Sequence, residues 1–178
     1  MVARDRFASS PCKPHTLAMG ALQDSGIVSS FKEDEKAALR ESWDIFNNSH
    51  QDAGVKILAR FIINNPEAKK FFPKFKGLET AEELENSAEV RIHGDKILAA
   101  VHQAVLNLDD PDKQKNELKD LSKSHAQQFN VEPAYFKTFA EVILKYVTET
   151  CGKSFTSEMR TSWSKLLSLI IIELQSAY

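Results

Sequence analysis

Apolar residues recur every three or four positions through most of the chain, a spacing that places them on one face of an α-helix. The pattern begins after Ser30, where Ser30 and Glu33 have the spacing of a helix-initiating capping box. It resumes in a second predicted helix at about 52–64. No alternating run of β-branched residues interrupts it. The pattern therefore predicts an all-α fold with an irregular arrangement of roughly seven or eight helices.

Prolines and capping residues mark where the predicted helices begin and end. Pro66 opens a short turn-like helix, and the sequence FFPKF at 71–75 predicts an aromatic corner because its proline interrupts a helix. Thr80 and Glu83 form a second capping-box signature. The remaining helices are predicted at about 86–108, at about 113–129, from Pro133 to the break at Gly152, and after Thr156, which has the side chain to cap the last one.

The first 28 residues differ from the rest, since they show neither a helical nor a strand period and contain Pro11, Pro14 and Gly20. We therefore expect residues 1–28 to form a flexible tail and residues 29–178 to form one folded domain.

Composition excludes several function classes. A net charge of −2 gives no general attraction to nucleic acid. The longest apolar stretch, 166–172, is far too short to span a bilayer, so no membrane span is expected. Two cysteines, Cys12 and Cys151, do not make a disulfide framework, and no secretory signal is visible. We expect a cytoplasmic, reducing location.

The five histidines fall into two groups. His15 lies in the predicted tail and His50 in a polar corner, so both are expected in solvent. His93 and His125 each share a stripe with apolar residues on two different predicted helices. His102 falls on the opposite side of the His93 helix and is predicted to be a surface residue.

Each inward-facing histidine, taken alone, fits an ordinary core histidine that bonds to a carbonyl. A zinc site would need further ligands at a local spacing such as HExxH, which is absent from the sequence. A metal held in a planar macrocycle needs only one or two histidines and an apolar slot. His93 and His125 on neighbouring stripes, near an aromatic corner, favour this third interpretation, a haem site.

Several motifs, in their order and spacing, resemble the globin family from about Gln23 to Tyr178. Within the family the chain is most similar to the haemoglobins of jawless vertebrates and to vertebrate cytoglobin. The landmarks are Trp43, Pro66, FPKFK at 72–76, the pair His93-Gly94, and LSKSHA at 121–126. The finer similarity rests on FFPKFKGLETAEEL, LKDLSKSHAQQF, VEPAYFK and QSAY. The resemblance implies the globin fold, with its helices packed around a haem pocket.

The resemblance also implies a set of haem contacts. His125 would be the proximal iron ligand of haem b, and the N–H of its other ring nitrogen would be donated to the carbonyl of Leu121 and the hydroxyl of Ser124. His93 would be the distal histidine, on the side where dioxygen binds. The other implied haem contacts are Ile97, Phe72, Leu58, Phe75, Val131 and Phe136 in the slot, and Lys74 and Lys96 beside the propionates. For most of these residues, ordinary core packing or solvation is the alternative interpretation.

The resemblance is compatible with three functions: a carrier or store, a redox enzyme and a sensor. The first hypothesis is a non-enzymatic carrier or store that binds dioxygen reversibly, with carbon monoxide and nitric oxide as further ligands, in the cytoplasm, as in blood cells. The alternative is a nitric oxide dioxygenase or peroxidase-like globin, which needs an external reductant because the chain has no GxGxxG fingerprint. A sensor would need an output domain. A homo- or hetero-oligomer linked to ligand binding is compatible with the resemblance.

The sequence departs from cytoglobin at its characteristic cysteines. His50 and Asp95 stand where those cysteines are expected, and Cys151 lies in a late corner. A cytoglobin-like internal redox disulfide is therefore not expected.

Overall fold

The computed structural model describes residues 31–49 and 52–178, and all regular secondary structure within them is helical. This confirms the predicted all-α class. The α-helices are α1 (Glu33–Ser49), α2 (Ala53–Asn64), α3 (Ala81–Asn86), α4 (Ala88–Leu106), α5 (Pro111–Lys123), α6 (Ala134–Cys151) and α7 (Ser157–Leu174). Short 3₁₀ segments span Pro66–Phe71, Pro73–Phe75, Asn107–Asp109 and Gly152–Ser154, and Ser124–Gln128 forms a π-helical turn. The predictions for the 1–28 tail, His15, His50 and Cys12 lie outside the described residues.

Side-chain caps begin several of the helices, as the sequence predicts. Thr80 and Glu83 form the expected capping box before α3, because each side chain accepts the backbone N–H of the other residue. Thr156 accepts the N–H of Met159 at 3.2 Å and caps α7. Gly152 ends α6 in a positive-φ conformation (+53°) that favours glycine.

Two predicted helix starts differ from the structure. The first helix begins at Glu33 rather than directly after Ser30, which is not described, and the N–H of Lys32 bonds to the Glu35 carboxylate at 2.8 Å. The helix expected from about residue 113 begins at Pro111, which follows Asp110 as a cap. Asp110 accepts the N–H of Lys113 at 3.0 Å. The predicted break between α4 and α5 is present, since α4 ends at Leu106, but it is shorter than predicted because Pro111 fits the first turn of α5.

Two glycines allow α2 and α4 to cross at backbone contact. A Cβ built on Gly54 would lie 2.4 Å from the Gly94 carbonyl oxygen, and one built on Gly94 would lie 2.5 Å from the Gly54 carbonyl carbon. Both glycines are buried. Because neither position has room for a side chain, the crossing fixes the position of α4, which carries His93.

The larger apolar core lies where α1, α4, α6 and α7 meet, around Trp43 and Trp163. The prediction that His102 is a surface residue is wrong, because its imidazole is partly buried and stacks on the indole of Trp43. Their ring centroids are 5.5 Å apart with 25° between the planes. Helical periodicity placed His102 opposite His93 correctly, but α1 covers that side of α4.

A second, smaller core joins α2 to the aromatic corner, α3 and α4. Helix α7 packs on α1, α5 and α6, so it joins the helix that precedes His125 to the larger core. Among the described helices, none is both long enough and apolar enough to cross a bilayer.

Candidate functional site

A cavity of about 360 Å³ opens beside the smaller core, between the aromatic corner, α4 and the connection from α5 to α6. Its volume is within the range of small-ligand sites in proteins, about 300–1,000 Å³. The walls are mainly aromatic and aliphatic, and the polar groups are few. The lining residues are Leu58, Phe61, Phe71, Phe72, Pro73, Lys74, Phe75, Glu89, Ile92, His93, Lys96, Ile97, His125, Phe129, Val131, Tyr135, Phe136 and Phe139.

The structure brings nearly all the predicted site residues together around this one cavity. The exception is Leu121, whose side chain is not part of the lining and which contributes its backbone carbonyl instead. The grouping joins residues from α2, the corner, α4, the π-helical turn and α6, which are far apart in the sequence.

His93 enters the cavity from α4 against the aromatic corner. The edge of the Phe72 ring meets the imidazole with centroids 5.2 Å apart, and Phe75 stacks on Phe72 at 4.9 Å. Burial lowers the pKa of His93, and the nearby His125 and Lys96 lower it further. The imidazole is therefore neutral at neutral pH, with one ring N–H available as a donor.

His125 enters from the π-helical turn that follows α5. Its Nδ1 lies 2.8 Å from the carbonyl oxygen of Leu121, one turn earlier. A carbonyl only accepts hydrogen bonds, so Nδ1 carries a proton, and in the neutral imidazole Nε2 has the lone pair. The rings of Phe129 and Phe136 lie at 5.9 and 5.5 Å from the imidazole. Nε2 is consequently free to bind a metal, in the manner of metal-binding histidines whose other nitrogen is hydrogen-bonded.

Ser124 differs from its predicted role. Its hydroxyl donates to the carbonyl of Asp120 at 3.0 Å, whereas the acceptor at His125 Nδ1 is the carbonyl of Leu121. A serine within a helix readily donates to the carbonyl one turn back, and this bond directs the Ser124 hydroxyl to Asp120 while the Leu121 carbonyl accepts the Nδ1–H of His125.

Two exposed lysines stand at the mouth of the cavity, where charges stay in water. Lys74 pairs with Glu89 at 3.5 Å, and both side chains are largely in solvent. Lys96 is exposed one helical turn from His93, and the positive charge of its ammonium acts on that imidazole. Both lysines are therefore placed where the predicted contact with an anionic group is possible. Lys74 already has a carboxylate partner in Glu89.

Sequence reasoning missed several lining residues, which are Phe61, Phe71, Pro73, Glu89, Ile92, Phe129, Tyr135 and Phe139. Phe136 and Phe139 share one helical face, which was a usable signal. Ile92 and Phe129 are marked only in the structure, where both are large apolar residues about half exposed, at 54% and 53%. Exposed apolar residues beside a cavity indicate a surface that a ligand covers.

The residues around the cavity fit a haem. His125 has a free Nε2, His93 is a second, neutral imidazole from another helix, and the walls offer flat aromatic and aliphatic surface. Within residues 31–49 and 52–178, no cluster of three or more histidine, cysteine, aspartate or glutamate side chains is placed to hold a metal ion. The donor set therefore matches a metal that a macrocycle holds, with one axial histidine supplied by the protein.

Comparison with known proteins agrees with this site. The globin family model matches residues 55–174. Globin-1 of Mordacia mordax is 41% identical over 155 residues, which cover 87% of this chain and 97% of that protein. Globin-1 of Petromyzon marinus has the same identity and coverage. Cytoglobin-2 of Danio rerio is 39% identical over 144 residues, covering 81% of this chain and 80% of its own.

The chain belongs to the globin family. Membership of that family implies haem binding and a function related to oxygen. The relatives have two kinds of name, globin and cytoglobin, and the similarity of this chain to both is nearly equal.

Proposed function

We propose that this chain binds haem b between His125 and His93 and binds dioxygen reversibly as a cytoplasmic carrier or store. The observation that carries the proposal is the hydrogen bond from His125 Nδ1 to the Leu121 carbonyl, which leaves Nε2 free beside a cavity that also holds His93. When bound, haem b supplies the iron at which a diatomic gas binds.

Nε2 of His125 would hold the haem iron in this proposal. The bond to Leu121 fixes the tautomer and the orientation of the ring, and it also makes Nε2 a better donor to the metal. Because the acceptor is a backbone carbonyl in the same helix, the ring keeps this orientation without any other side chain.

His93 supplies a hydrogen-bond donor on the ligand side. Its neutral state suits this role, since one ring N–H is available to a gas that draws negative charge from the metal. A hydrogen bond to a charged acceptor contributes about 1.5–3 kcal/mol, or roughly ten- to a hundredfold in affinity. Carbon monoxide develops less charge and gains less from the same donor.

The apolar wall supports reversibility. Phe72, Phe75 and Phe136 present rings rather than polar groups to the cavity, so they exclude water from the space between the histidines. Lys74 and Lys96 would meet the propionates of the haem at the mouth, where their charge stays hydrated.

The first experiment is to load the full chain with haem b and record visible spectra through repeated cycles of dioxygen and argon. A carrier or store gives an oxygenated spectrum that is stable and returns to the ferrous spectrum in each cycle. The spectrum of the deoxygenated ferrous form also reports whether His93 itself binds the iron, which would lower the apparent affinity for dioxygen. Rapid oxidation in air, or failure to bind haem, would contradict the proposal.

The enzyme alternative is tested with the same preparation. Nitric oxide consumption is measured in air with and without an added flavoprotein reductase and NADPH, using haem b alone with the reductase as the control. Sustained catalytic turnover that depends on the reductase would favour the dioxygenase. A single stoichiometric reaction with no turnover would favour the carrier.

A further inference from the structure

One buried hydroxyl joins the helix before His125 to the residues that follow α7. Ser122 lies in α5, three positions before His125, and its side chain is completely buried (0% exposed). Its Oγ donates to the carbonyl of Leu174 at 2.7 Å and accepts the N–H of Ala177 at 3.1 Å. The hydroxyl therefore uses both its donor and an acceptor site on residues far along the chain.

These two bonds satisfy groups that a helix end leaves unpaired. Leu174 is the last residue of α7, where backbone carbonyls lack a partner within the helix. Ala177 belongs to the turn that follows, and its amide has no helical acceptor of its own. Since Ser122 is completely buried, water does not reach its hydroxyl, and Leu174 and Ala177 are only partly exposed.

Two further contacts connect the same segment to the surroundings of His125. The Gln175 side chain donates to the Pro133 carbonyl at 3.3 Å, directly before α6. The ring of Tyr178 lies 5.9 Å from Phe136, whose own ring lies 5.5 Å from the His125 imidazole. Residues 175–178, which we name the end segment, thus contact elements on both sides of the His125 turn.

The His125 turn has little packing of its own to hold it. The π-helical segment Ser124–Gln128 contains no buried residue. Asn130, two residues after this segment, adopts a positive φ of +49°. A π-helical turn is a rare form of helix, and because this one has no buried residue, its position depends on what holds the helix immediately before it.

We propose that Ser122 is a positioning residue for His125, acting by fastening the end segment to α5. We call the two hydrogen bonds of Ser122, to Leu174 and Ala177, the clasp. Without the clasp, the last turn of α5 loses its link to the end of α7, and the His125 imidazole moves relative to the cavity. This inference rests on the proposed haem-binding function for its effect on the metal, although the clasp itself belongs to the protein alone.

The first test uses the haem-free full chain. Ser122→Ala removes both bonds, and a variant that lacks residues 175–178 removes the Ala177 donor from the other side. Ser168→Ala is the matched control, because its hydroxyl bonds only to the Ser164 carbonyl within α7. We expect Ser122→Ala to accelerate amide exchange at Ala177 by roughly fivefold to tenfold, as one lost neutral hydrogen bond would. Both test variants should shift the imidazole nitrogen NMR signals of His125, and the control should shift neither observable.

The second test uses the haem-loaded chain and follows the iron–histidine stretching vibration and the rate of carbon monoxide rebinding. Both should change in Ser122→Ala and in the shortened variant, and the combined variant should change by less than the sum of the two effects, because both changes remove the bond between Ser122 and Ala177. If Ser122→Ala left both the His125 imidazole NMR signals and the iron–histidine vibration unchanged from the wild type, the positioning role would be overturned, even if the Ala177 amide exchanged faster. Failure of the wild-type chain to bind haem would refute the proposed function. The His125 NMR signals of the haem-free chain would still show whether Ser122 positions this imidazole.

Discussion

The two histidine-bearing sides of the cavity are held in different ways. On the His93 side, α4 is a 19-residue helix that packs on α2 through the backbones of Gly54 and Gly94. On the His125 side, the imidazole stands on a five-residue π-helical turn that has no buried residue. Close packing sets the first position. Hydrogen bonds set the second, one accepted by the Leu121 carbonyl from the His125 ring and one donated by the Ser122 hydroxyl to the Leu174 carbonyl.

This difference has a consequence for ligand chemistry. A backbone contact without free space allows almost no movement, because any displacement creates overlap. A position set by hydrogen bonds, each contributing about 1 kcal/mol net, responds to small changes in the surrounding contacts. We therefore expect the His93 side to be the rigid reference and the His125 side to be the adjustable one.

The largest expected effect is the loss of haem in His125→Ala. The substitution removes the only imidazole whose Nε2 is free and whose ring is oriented by a backbone carbonyl in the cavity lining. Haem retention is measured by transfer to an excess of an apo-globin acceptor. His102→Ala is the control, since His102 is absent from the lining. Full haem retention in His125→Ala would contradict the assignment of His125 as the iron ligand.

The next largest effect is on stability, in Gly94→Ala. The added methyl would lie 2.5 Å from the carbonyl carbon of Gly54, well inside van der Waals contact, so α2 and α4 must separate. We expect a loss of about 3 kcal/mol in the free energy of unfolding, measured by urea denaturation of the haem-free chain.

Asp95→Ala, at the exposed neighbouring position, is the control and should change stability by less than about 0.5 kcal/mol. Equal stabilities for Gly94→Ala and the wild type would show that the crossing of α2 and α4 is not rigid, and would contradict the description of the His93 side as the rigid one.

His93→Leu should leave haem bound and accelerate dioxygen release. Leucine keeps an apolar side chain against Phe72 but has no N–H to donate, so release should be faster by roughly ten- to a hundredfold. Stopped-flow mixing with dithionite measures the rate, and the carbon monoxide release rate serves as the internal control because it should change much less. An unchanged dioxygen release rate would exclude His93 as the donor.

The smallest expected effect is a difference in backbone protection within the unmodified chain. The amides of the π-helical turn at 124–128 should exchange at least about tenfold faster than those in the middle of α4, because fewer buried contacts hold the turn. Hydrogen exchange followed by NMR on the haem-free chain gives both sets in one experiment. Equal protection of the two regions would argue against an adjustable His125 side.

Much of this site was predictable because its residues follow local rules. The apolar stripes placed His93 and His125 inward, and the resemblance to globins identified the carbonyl of Leu121 as the partner of the His125 ring, where the structure has it. The Thr80 capping box and the Thr156 cap were readable because each depends on residues three positions apart.

The predictions that differ from the structure depend on distant neighbours or on competing local bonds. His102 was expected in solvent, but Trp43 of another helix covers it. Ser124 was a candidate partner for His125, but its hydroxyl bonds to Asp120. Pro111 was taken as part of a break, although with Asp110 before it the same residue begins a helix.

By itself, the sequence determined the helices, their caps and the two inward histidines, because periodicity and capping act over three or four residues. Only the tertiary structure decided that Gly54 meets Gly94, that Phe139 and Tyr135 complete the cavity, and that Ser122 bonds to Leu174 and Ala177. Those contacts join elements that are distant along the chain. Which helix faces lie against each other follows from how all the elements fill space together, and no local pattern encodes it.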